Sequence, residues 1–249
     1  MRVEHIGDAT LILGDCLEVL PTLGKVDAVV TDPPYRVTSG GFGDLESGFG
    51  GWIKDAYDNK GSIVQCDIDW PEFMPPIFAV MREGAQAYIF SNDRNLQAAR
   101  AAAENAGLIF HRLLIWDKRA ALPNRWYQQT CEFVLFMRRG KARMISDPSS
   151  KSLQSIFQRD ESLHPTEKPV ELCSLYVGNS TVAGETVLDP FMGSGTTGVA
   201  CAELGRRFVG IELNPAFFDM ACTRIESAYR RPRLFTEPVS KPVQEGMQF

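Results

Sequence analysis

The sequence lacks the features of several classes of protein. No stretch of the sequence approaches the roughly 18 consecutive apolar residues that a membrane-spanning helix needs. The first residues, MRVEHIGDATLILGDC, lack the basic stretch and apolar run of a signal peptide, so a cytoplasmic chain is expected. The chain has only three histidines, and its six cysteines include no C-x-x-C pair. Because metal sites gather such ligands at short spacings, no metal is predicted, and the cysteines are expected to be reduced thiols.

An excess of positive charge is also missing. The chain has 26 Lys and Arg against 31 Asp and Glu, which gives a formal net charge of -5. Binding to nucleic acid depends on cations that displace phosphate counterions, so any DNA-binding surface must be local. Three basic clusters are candidates, although a solvated charge run is the default interpretation of each. They are Lys118, Arg119 and Arg125; Arg138, Arg139, Lys141 and Arg143; and Arg230, Arg231 and Arg233.

What is present is an alternation of strands and helices in an ordinary globular composition, 44% apolar and 23% charged. Strand-like runs stand at 10–13, 27–31, 87–91, 110–116, 132–137, 186–188 and 208–211. Helix-like stretches stand at 93–105, 169–177 and 215–229, and a further helix begins near Thr196. The alternation predicts an α/β fold with a mostly parallel sheet and helices on both faces.

Three stretches do not follow this alternation. Residues 36–69 are rich in glycine and predict a long mobile loop, which in a compact domain is usually functional or disordered. Residues 138–163 are polar and basic and predict a linker or a short recognition insert. Residues 231–249 contain three prolines and predict an irregular tail.

The most informative segment runs from Thr186 to Asn214, TVLDPFMGSGTTGVACAELGRRFVGIELN. It predicts a strand that ends at Asp189, a glycine-rich turn, a helix and a second strand that ends at Glu212. Glycines let a ligand approach the backbone closely, and the amino terminus of a helix offers unpaired N–H groups. An acidic residue at the end of the next strand suits the hydroxyl groups of a ribose, so a nucleoside ligand is favoured.

Three ligands compete for this turn. The spacing Gly193-x-Gly195-x-x-Gly198 matches the dinucleotide fingerprint, whereas a phosphate-binding loop would need a lysine that GSGTTG lacks. Asp189 separates them, because a carboxylate would repel a pyrophosphate but would bind the α-amino group of a methionine moiety. S-adenosylmethionine is therefore the predicted cofactor. The residues of this segment assigned to it are Asp189, Phe191, Gly193, Ser194, Gly195, Thr196, Glu212, Leu213 and Asn214.

A second segment, DAVVTDPPY, leads an apolar strand directly into Asp32, Pro33, Pro34 and Tyr35. Two prolines hold the backbone extended and remove N–H donors, which leaves the Asp32 carboxylate and the Pro33 carbonyl as acceptors. An exocyclic amino group becomes a usable nucleophile when acceptors hold its hydrogens. The Tyr35 ring would replace the stacking that a flipped-out base loses; the alternative is a tight turn with a buried tyrosine.

With these two motifs, in this order, the sequence resembles the beta-class DNA amino-methyltransferases over nearly its whole length. Their Asp-Pro-Pro-Tyr precedes a cofactor loop of the Asp-Pro-Phe-x-Gly-x-Gly-Thr type. The resemblance implies one Rossmann-like S-adenosylmethionine-dependent methyltransferase domain over residues 1–249, with a seven-stranded sheet and a circularly permuted motif order. It also implies double-stranded DNA as substrate and a homodimer, in which recognition is spread over residues 36–69, residues 138–163 and a second subunit.

The resemblance adds residues that spacing alone does not identify. His164-Pro165-Thr166-Glu167-Lys168-Pro169 resembles the segment that lines the methionine end of the cofactor pocket, with His164, Thr166 and Lys168 assigned to it. Gly14-Asp15-Cys16 resembles the element that binds the cofactor adenine, which assigns Asp15 and Cys16.

Leu122-Pro123-Asn124-Arg125, followed by Cys131-Glu132, resembles a segment that enters the DNA near the target base in members of the cell-cycle type. Those members often carry His-Glu where this chain has Cys131-Glu132, and a half-buried strand edge is the alternative interpretation. The DNA contacts assigned from it are Asn124, Arg125, Trp126 and Tyr127, and Lys118 and Arg119 are assigned from the first basic cluster.

The predicted function is methyl transfer from S-adenosylmethionine to N6 of a flipped-out adenine in DNA, with S-adenosylhomocysteine as the second product. The enzyme would serve a restriction-modification system or act as an orphan methyltransferase. Adenine is the preferred target because Asp32 at the motif head resembles adenine enzymes more than cytosine enzymes. Cytosine N4 is the alternative target, since the chemistry is shared. A protein-glutamine methyltransferase would carry Asn there and place the motif after the cofactor loop. A non-catalytic DNA-binding protein would not need Asp32, Tyr35, Asp189 and Glu212 together.

Overall fold

The structure is a computed structural model that describes residues 1–34, 68–119, 127–128, 130–141, 143–157 and 167–231. These residues form nine strands: β1 (Arg2–Ile6), β2 (Ala9–Leu13), β3 (Val26–Thr31), β4 (Met81–Ser91), β5 (Ile109–Asp117), β6 (Cys131–Arg138), β7 (Leu153–Ser155), β8 (Thr186–Asp189) and β9 (Arg207–Glu212). The helices are α1 (Cys16–Val19), α2 (Trp70–Val80), α3 (Leu96–Asn105), α4 (Val170–Ser180), α5 (Thr196–Leu204) and α6 (Pro215–Arg230), with a 3₁₀ turn at Leu20–Thr22.

All nine strands belong to one mixed sheet with the order β1-β2-β9-β8-β3-β4-β6-β5-β7. The strands from β2 to β4 in this order are parallel, whereas β1 and β6 run antiparallel to their neighbours. Helices α4, α5 and α6 pack on one face of the sheet, and α1, α2 and α3 pack on the other. The prediction of an α/β fold with a mostly parallel sheet covered on both faces is confirmed.

Strand β3 lies at the centre of the sheet and is buried along its whole length. Ala28 and Val30 belong to the core on the α4–α6 face, while Val26 and Val29 belong to the core on the opposite face. A parallel strand that is covered on both faces has no solvent-facing side, which explains the apolar run Ala28–Val30 at its centre. The strand therefore carries Asp32 out of the core at a fixed position.

The sheet has two strands more than the seven that were predicted. The seven predicted runs correspond to β2–β6, β8 and β9, and the additional strands are β1 and β7, at the two edges of the sheet. Both edge strands are mostly exposed, so neither has the apolar run by which a strand is recognised from sequence. Helix α2 was also missed, because Pro75 and Pro76 stand inside it.

The segments predicted as irregular have different outcomes. Residues 35–67 and 232–249, which hold nearly all of the glycine-rich loop and the tail, lie outside the described residues. The predicted insert is structured over residues 143–157, where it contributes β7 to the sheet beside β5. Its basic residues serve the fold: Arg139 donates to the carbonyls of Phe78 and Met81, and Arg143 pairs with Glu185. The second basic cluster is therefore used largely within the molecule.

The described residues also bear on the classes of protein considered from the sequence. None of their helices is long and apolar enough to cross a membrane. They contain no group of three or more His, Cys, Asp or Glu side chains that could hold a metal ion. The cysteines among them, Cys16, Cys131, Cys173, Cys201 and Cys222, are free thiols.

The close packing of α5 against α6 and β9 gives a prediction about stability. A Cβ on Gly198 would lie 2.4 Å from Ile225 Cδ1 and 2.8 Å from the Phe208 ring. We therefore expect Gly198→Ala to lower the free energy of unfolding, measured in urea, by about 1–3 kcal/mol. The control is Gly178→Ala in α4, where a Cβ meets no atom within 4 Å, so stability should hold or rise by roughly 0.5–1 kcal/mol. Equal stability of the two variants would contradict this packing.

Candidate active site

The two segments singled out in the sequence meet at one edge of the sheet. Strands β3 and β8 are parallel neighbours, with Ala28 opposite Val187 and Val29 opposite Leu188. Parallel strands end at the same edge, so Asp32 and Asp189 emerge side by side. The Thr31 hydroxyl, one residue before Asp32, donates to Asp189 Oδ1 at 2.8 Å.

One cavity opens at this edge and is lined by residues of both segments. From the first segment it has Thr31 and Asp32, and from the second it has Asp189, Phe191, Met192, Gly193, Ser194, Thr196 and Thr197. Glu167, Lys168 and Cys173 contribute from the start of α4, with Phe90 and Phe217 completing the wall. The predicted catalytic aspartate and the predicted cofactor loop therefore share a cavity.

Asp189 is held inside the protein by neutral donors. It is 4% exposed and accepts hydrogen bonds from the hydroxyls of Thr31 and Thr197 and from the N–H of Phe191. Burial raises the pKa of Asp189 to about 7, although these three donors favour the ionised form. Oδ1 accepts two of these bonds and Oδ2 accepts one, so a cation reaching this carboxylate would find an acceptor at Oδ2 and would favour its ionisation.

The glycine-rich turn has the backbone conformation that only glycine adopts readily. Gly193 and Gly195 have φ values of 51° and 82°. A Cβ on Gly195 would lie 2.8 Å from the Ala221 Cβ, so this glycine lets the turn pack on α6. A Cβ on Gly193 would meet no atom within 4 Å, and Gly193 lines the cavity, so its backbone faces open space where a ligand can approach.

Glu212, at the end of β9, ties the turn to its neighbours. Its carboxylate accepts from the Gly193 N–H at 2.9 Å and from the Asn214 N–H at 2.7 Å. Burial raises the pKa of Glu212, while these backbone donors oppose the rise. The Glu212 carbonyl accepts from the Gly14 N–H at 3.0 Å, which brings the end of β2 beside the same turn.

Several residues assigned to the cofactor have a structural part in the fold. Asp15 caps α1 by accepting from the Leu17 N–H at 2.8 Å, and Asn214 caps α6 by accepting from the Ala216 N–H at 2.8 Å. Cys16 is buried, and Leu213 is 53% exposed. These positions border the Glu212 region, and their contact with a cofactor stays a prediction.

Helix α2, which the sequence did not reveal, supports the aromatic wall of the site. The Phe191 ring meets the Phe73 ring of α2 edge to face, with centroids 4.9 Å apart. Phe73 in turn packs against Trp70 at 5.4 Å and is fully buried. Phe191 is therefore fixed by the core on one side while it lines the cavity on the other.

Four charged side chains are connected by ion pairs, and we call them the Lys168 cluster: Asp32 and Lys168, which line the cavity, and Lys118 and Glu132. Lys168 Nζ lies 2.5 Å from Asp32 Oδ2 and 3.2 Å from Glu132 Oε2. The other Glu132 oxygen is paired with Lys118. Lys168 is only 7% exposed, so its charge is balanced almost entirely by these carboxylates. The resemblance assigned Lys168 to the cofactor pocket, and the structure shows it bonded to Asp32.

The cluster shifts the two carboxyl groups in opposite directions. Burial raises the pKa of Asp32; the Lys168 charge opposes this rise, and the Glu132 charge adds to it. Burial would also raise the pKa of Glu132, but the charges of Lys168 and Lys118 outweigh it and hold that pKa below its usual value. Glu132 is therefore the more firmly ionised carboxylate of the pair.

Arg224 of α6 is a site residue that sequence reasoning missed. Its guanidinium donates to the Ser194 carbonyl at 2.8 Å and to the Ser194 hydroxyl at 2.6 Å, and it is paired with Glu167. It thereby joins the glycine-rich turn to the segment that precedes α4. No local signal identified it, because an arginine on an amphipathic helix ordinarily faces solvent.

The remaining predicted site residues are not brought into the cavity by the described part of the chain. Pro33 and Pro34 follow Asp32 directly and are buried and half-buried. Arg119 is exposed, and its N–H donates to Asp117. Tyr127 is 97% exposed. The predictions for Tyr35, Asn124, Arg125, Trp126, His164 and Thr166 lie outside the described residues.

Comparison with known proteins agrees with this site. Residues 26–223 match the profile of the N6/N4 methyltransferase family, described as DNA methylase. The match covers most of the chain and includes β3 with Asp32, the glycine-rich turn and Glu212. The chain therefore belongs to the N6/N4 DNA methylase family.

Similar sequences and structures include restriction-modification enzymes. The type II methyltransferase M2.DpnII of Streptococcus pneumoniae is 28% identical, over 82% of this chain and 83% of its own length. The type II methyltransferase M.HinfI of Haemophilus influenzae is 24% identical, over 93% of this chain and 73% of its own. The structure of the M1.HpyAVI–SAM complex has a TM-score of 0.67 and 26% identity, covering 87% of this chain and 99% of that one. The cytosine-N4-specific PvuII DNA methyltransferase has a TM-score of 0.68 at 14% identity, over 94% and 89%.

The raised pKa of Asp189 predicts a specific dependence of stability on pH. Its folded pKa of about 7 exceeds the roughly 3.9 of an unfolded aspartate, so between these values the folded protein holds the proton more tightly. The stabilisation from Asp189 is thus full below about pH 4 and is lost as the pH rises to about 7. The free energy of unfolding of the parent, minus that of Asp189→Asn, should fall by a few kcal/mol from about pH 4.5 to about pH 7.5.

Asp147→Asn is the control for this measurement. Hydrogen bonds from Ser149 lower the pKa of Asp147, so its contribution changes only at more acidic pH, below the range tested. The difference in free energy of unfolding between the parent and Asp147→Asn should therefore stay constant between about pH 4.5 and about pH 7.5. An Asp189 difference that is equally flat, or that grows with pH, would show that Asp189 is not a buried carboxyl with a raised pKa.

Proposed function

We propose that this chain transfers a methyl group from S-adenosylmethionine to the N6 amino group of a flipped-out adenine in double-stranded DNA. The observation that carries the proposal is the shared cavity, in which Asp32 stands beside the Asp189 carboxylate and the Gly193 backbone. The family to which the chain belongs methylates the exocyclic amino groups N6 or N4 of DNA bases. Residues 1–249 would act as one catalytic domain.

The cavity fits the proposed cofactor by the chemistry of its lining. Asp189 is a buried carboxylate with spare acceptor capacity for the α-ammonium group, and the open space at Gly193 admits a ligand against the backbone. Glu212 accepts from backbone N–H groups and retains acceptor capacity for the ribose hydroxyls. The similar M1.HpyAVI was solved as a complex with SAM, which supports this assignment. When bound, the cofactor would supply an electrophilic methyl group: the amino nitrogen would form a new N–C bond as the S–C bond to the methyl group breaks, and S-adenosylhomocysteine would be the leaving group.

Asp32 would orient the substrate amine. Its Oδ2 is occupied by Lys168, whereas its Oδ1 is buried and has no hydrogen-bond partner among the described residues. A buried acceptor left open in this way favours a donor from a ligand, and an amine hydrogen is such a donor. With the Pro33 carbonyl holding the second hydrogen, the nitrogen lone pair would point at the methyl group, and Asp32 is the nearest acceptor for the proton released.

The residue at the motif head, Asp32, favours adenine over cytosine as the target base. Asp32 is the head residue of the adenine enzymes that the sequence resembles, and the same acceptor pair would serve N4 of cytosine. Likeness of fold does not decide between the bases, since the cytosine-N4-specific PvuII enzyme has a TM-score of 0.68. Cytosine N4 methylation is therefore the alternative function.

The proposed DNA surface surrounds the cavity. Lys118 and Arg119 follow β5 at the edge of the sheet where the cavity opens, and the fully exposed Tyr127 precedes β6 there. With a net charge of -5, such local cations must attract the phosphates. A twofold-related second subunit would enlarge this footprint, and a homodimer is part of the proposal.

Replacing Asp32 tests its catalytic role. We expect Asp32→Ala to lower the single-turnover rate of methyl transfer to DNA by at least about 100-fold, because the amine loses its acceptor. Affinity for S-adenosylmethionine, measured by calorimetry, should stay within about threefold, since the cofactor depends on other residues. Asp93→Ala, at an exposed turn position, is the matched control and should behave as the parent does. Near-normal methyl transfer by Asp32→Ala would remove the assignment.

The identity of the base is tested by its product. The chain is expressed in a host without DNA methylation, and the genomic DNA is digested to nucleosides and analysed by mass spectrometry. N6-methyl-2′-deoxyadenosine should accumulate in this host and should be absent when the Asp32→Ala chain is expressed instead. N4-methylcytosine in its place would make the alternative function correct.

A further inference from the structure

Lys168 is fixed more firmly than a residue lining a ligand pocket needs to be. Its ammonium group touches Asp32 Oδ2 at 2.5 Å and Glu132 Oε2 at 3.2 Å, and it lies 5.3 Å from the centre of the Phe90 ring. Two carboxylates and an aromatic face thus enclose one point charge. The ammonium group is therefore held by carboxylates of the protein itself, one of them the predicted catalytic Asp32.

We propose that Lys168 is a positioning residue for Asp32: braced by Glu132, it holds Oδ2 so that Oδ1 is left to accept from the substrate amine. The inference deepens the proposed function and rests on it. Asp32 follows the end of β3, Glu132 is the second residue of β6, and Lys168 stands just before α4. The three elements are fixed by the sheet and its core, so the bonds between them define the rotamer of Asp32.

The charges of the cluster also determine whether Asp32 can accept. Only the ionised carboxylate offers both oxygens as acceptors. Burial raises the pKa of Asp32; the charge of Lys168 opposes this rise, and the charge of Glu132 adds to it. Lys118 lies further along the cluster and acts in the same direction as Lys168, while Asp189 stands across the cavity. Removing Lys168 and removing the Glu132 charge should therefore move the titration of Asp32 in opposite directions.

The test compares Lys168→Met with Glu132→Gln in the full-length chain. Single-turnover rates of methyl transfer are measured against pH with saturating S-adenosylmethionine and DNA. For Lys168→Met we expect a rate about 10–100-fold lower. The acid limb of its pH–rate profile should shift to higher pH, because Asp32 loses the charge that favours its ionised form. For Glu132→Gln, which keeps the bond from Lys168 to Asp32, we expect an acid limb shifted to lower pH.

Further variants separate positioning from structure. Lys168→Arg should restore part of the rate, because a guanidinium can still donate to Asp32. Arg100→Met is the control for the loss of a positive charge at an exposed site, on helix α3 and outside the segments assigned to DNA or cofactor, and should match the parent. Affinity of Lys168→Met for S-adenosylmethionine, measured by calorimetry, should stay within about threefold of the parent.

Several results would overturn the inference. One is a Lys168→Met variant whose rate of methyl transfer and acid limb of the pH–rate profile match those of the parent. Another is a Lys168→Met variant that binds S-adenosylmethionine more weakly but has an unchanged rate at saturation, which would make Lys168 a cofactor contact. If Lys168→Met does not fold, an acid limb of Glu132→Gln that stays in place or moves upward contradicts it. A parent chain without methyl transfer would instead refute the proposed function, and this inference with it.

Discussion

The parallel pairing of β3 with β8 is the constraint on which the rest of the site depends. Thr31 and Asp189 are 158 positions apart in sequence, yet their side chains are joined by a hydrogen bond of 2.8 Å. The pairing is enforced by burial, because both strands are covered on both faces by apolar side chains. It places an acceptor for an amine and a carboxylate for a cation at the same strand ends, which is where open α/β sheets bind ligands.

This arrangement concentrates negative charge in a poorly hydrated place, and much of the surrounding structure compensates for it. Lys168 and Lys118 balance Asp32 and Glu132, Arg224 balances Glu167, and Asp189 accepts from neutral hydroxyls. Buried ion pairs contribute little net stability, because desolvation offsets most of their attraction. Their presence at the cavity is therefore better explained by the need to hold carboxylates in one orientation for a ligand.

The sequence predicted the parts of the fold that carry a local signal. Central strands such as β3 contain a short apolar run, and the glycine turn after Asp189 has its own spacing, so both were placed correctly. Edge strands β1 and β7 are mostly exposed and lack an apolar run, and α2 contains two prolines, so none of these elements was recognised. The bond between Lys168 and Asp32 spans 136 positions and leaves no periodic trace, so its existence could be learned only from the structure.

The most direct test of the central claim is a crystal structure of the chain with S-adenosylhomocysteine bound. The account predicts that the amino group of the ligand contacts Asp189, that its ribose lies at Glu212, and that its sulfur faces Asp32 across the cavity. A ligand bound at another edge of the sheet, or with its sulfur turned away from Asp32, would contradict it.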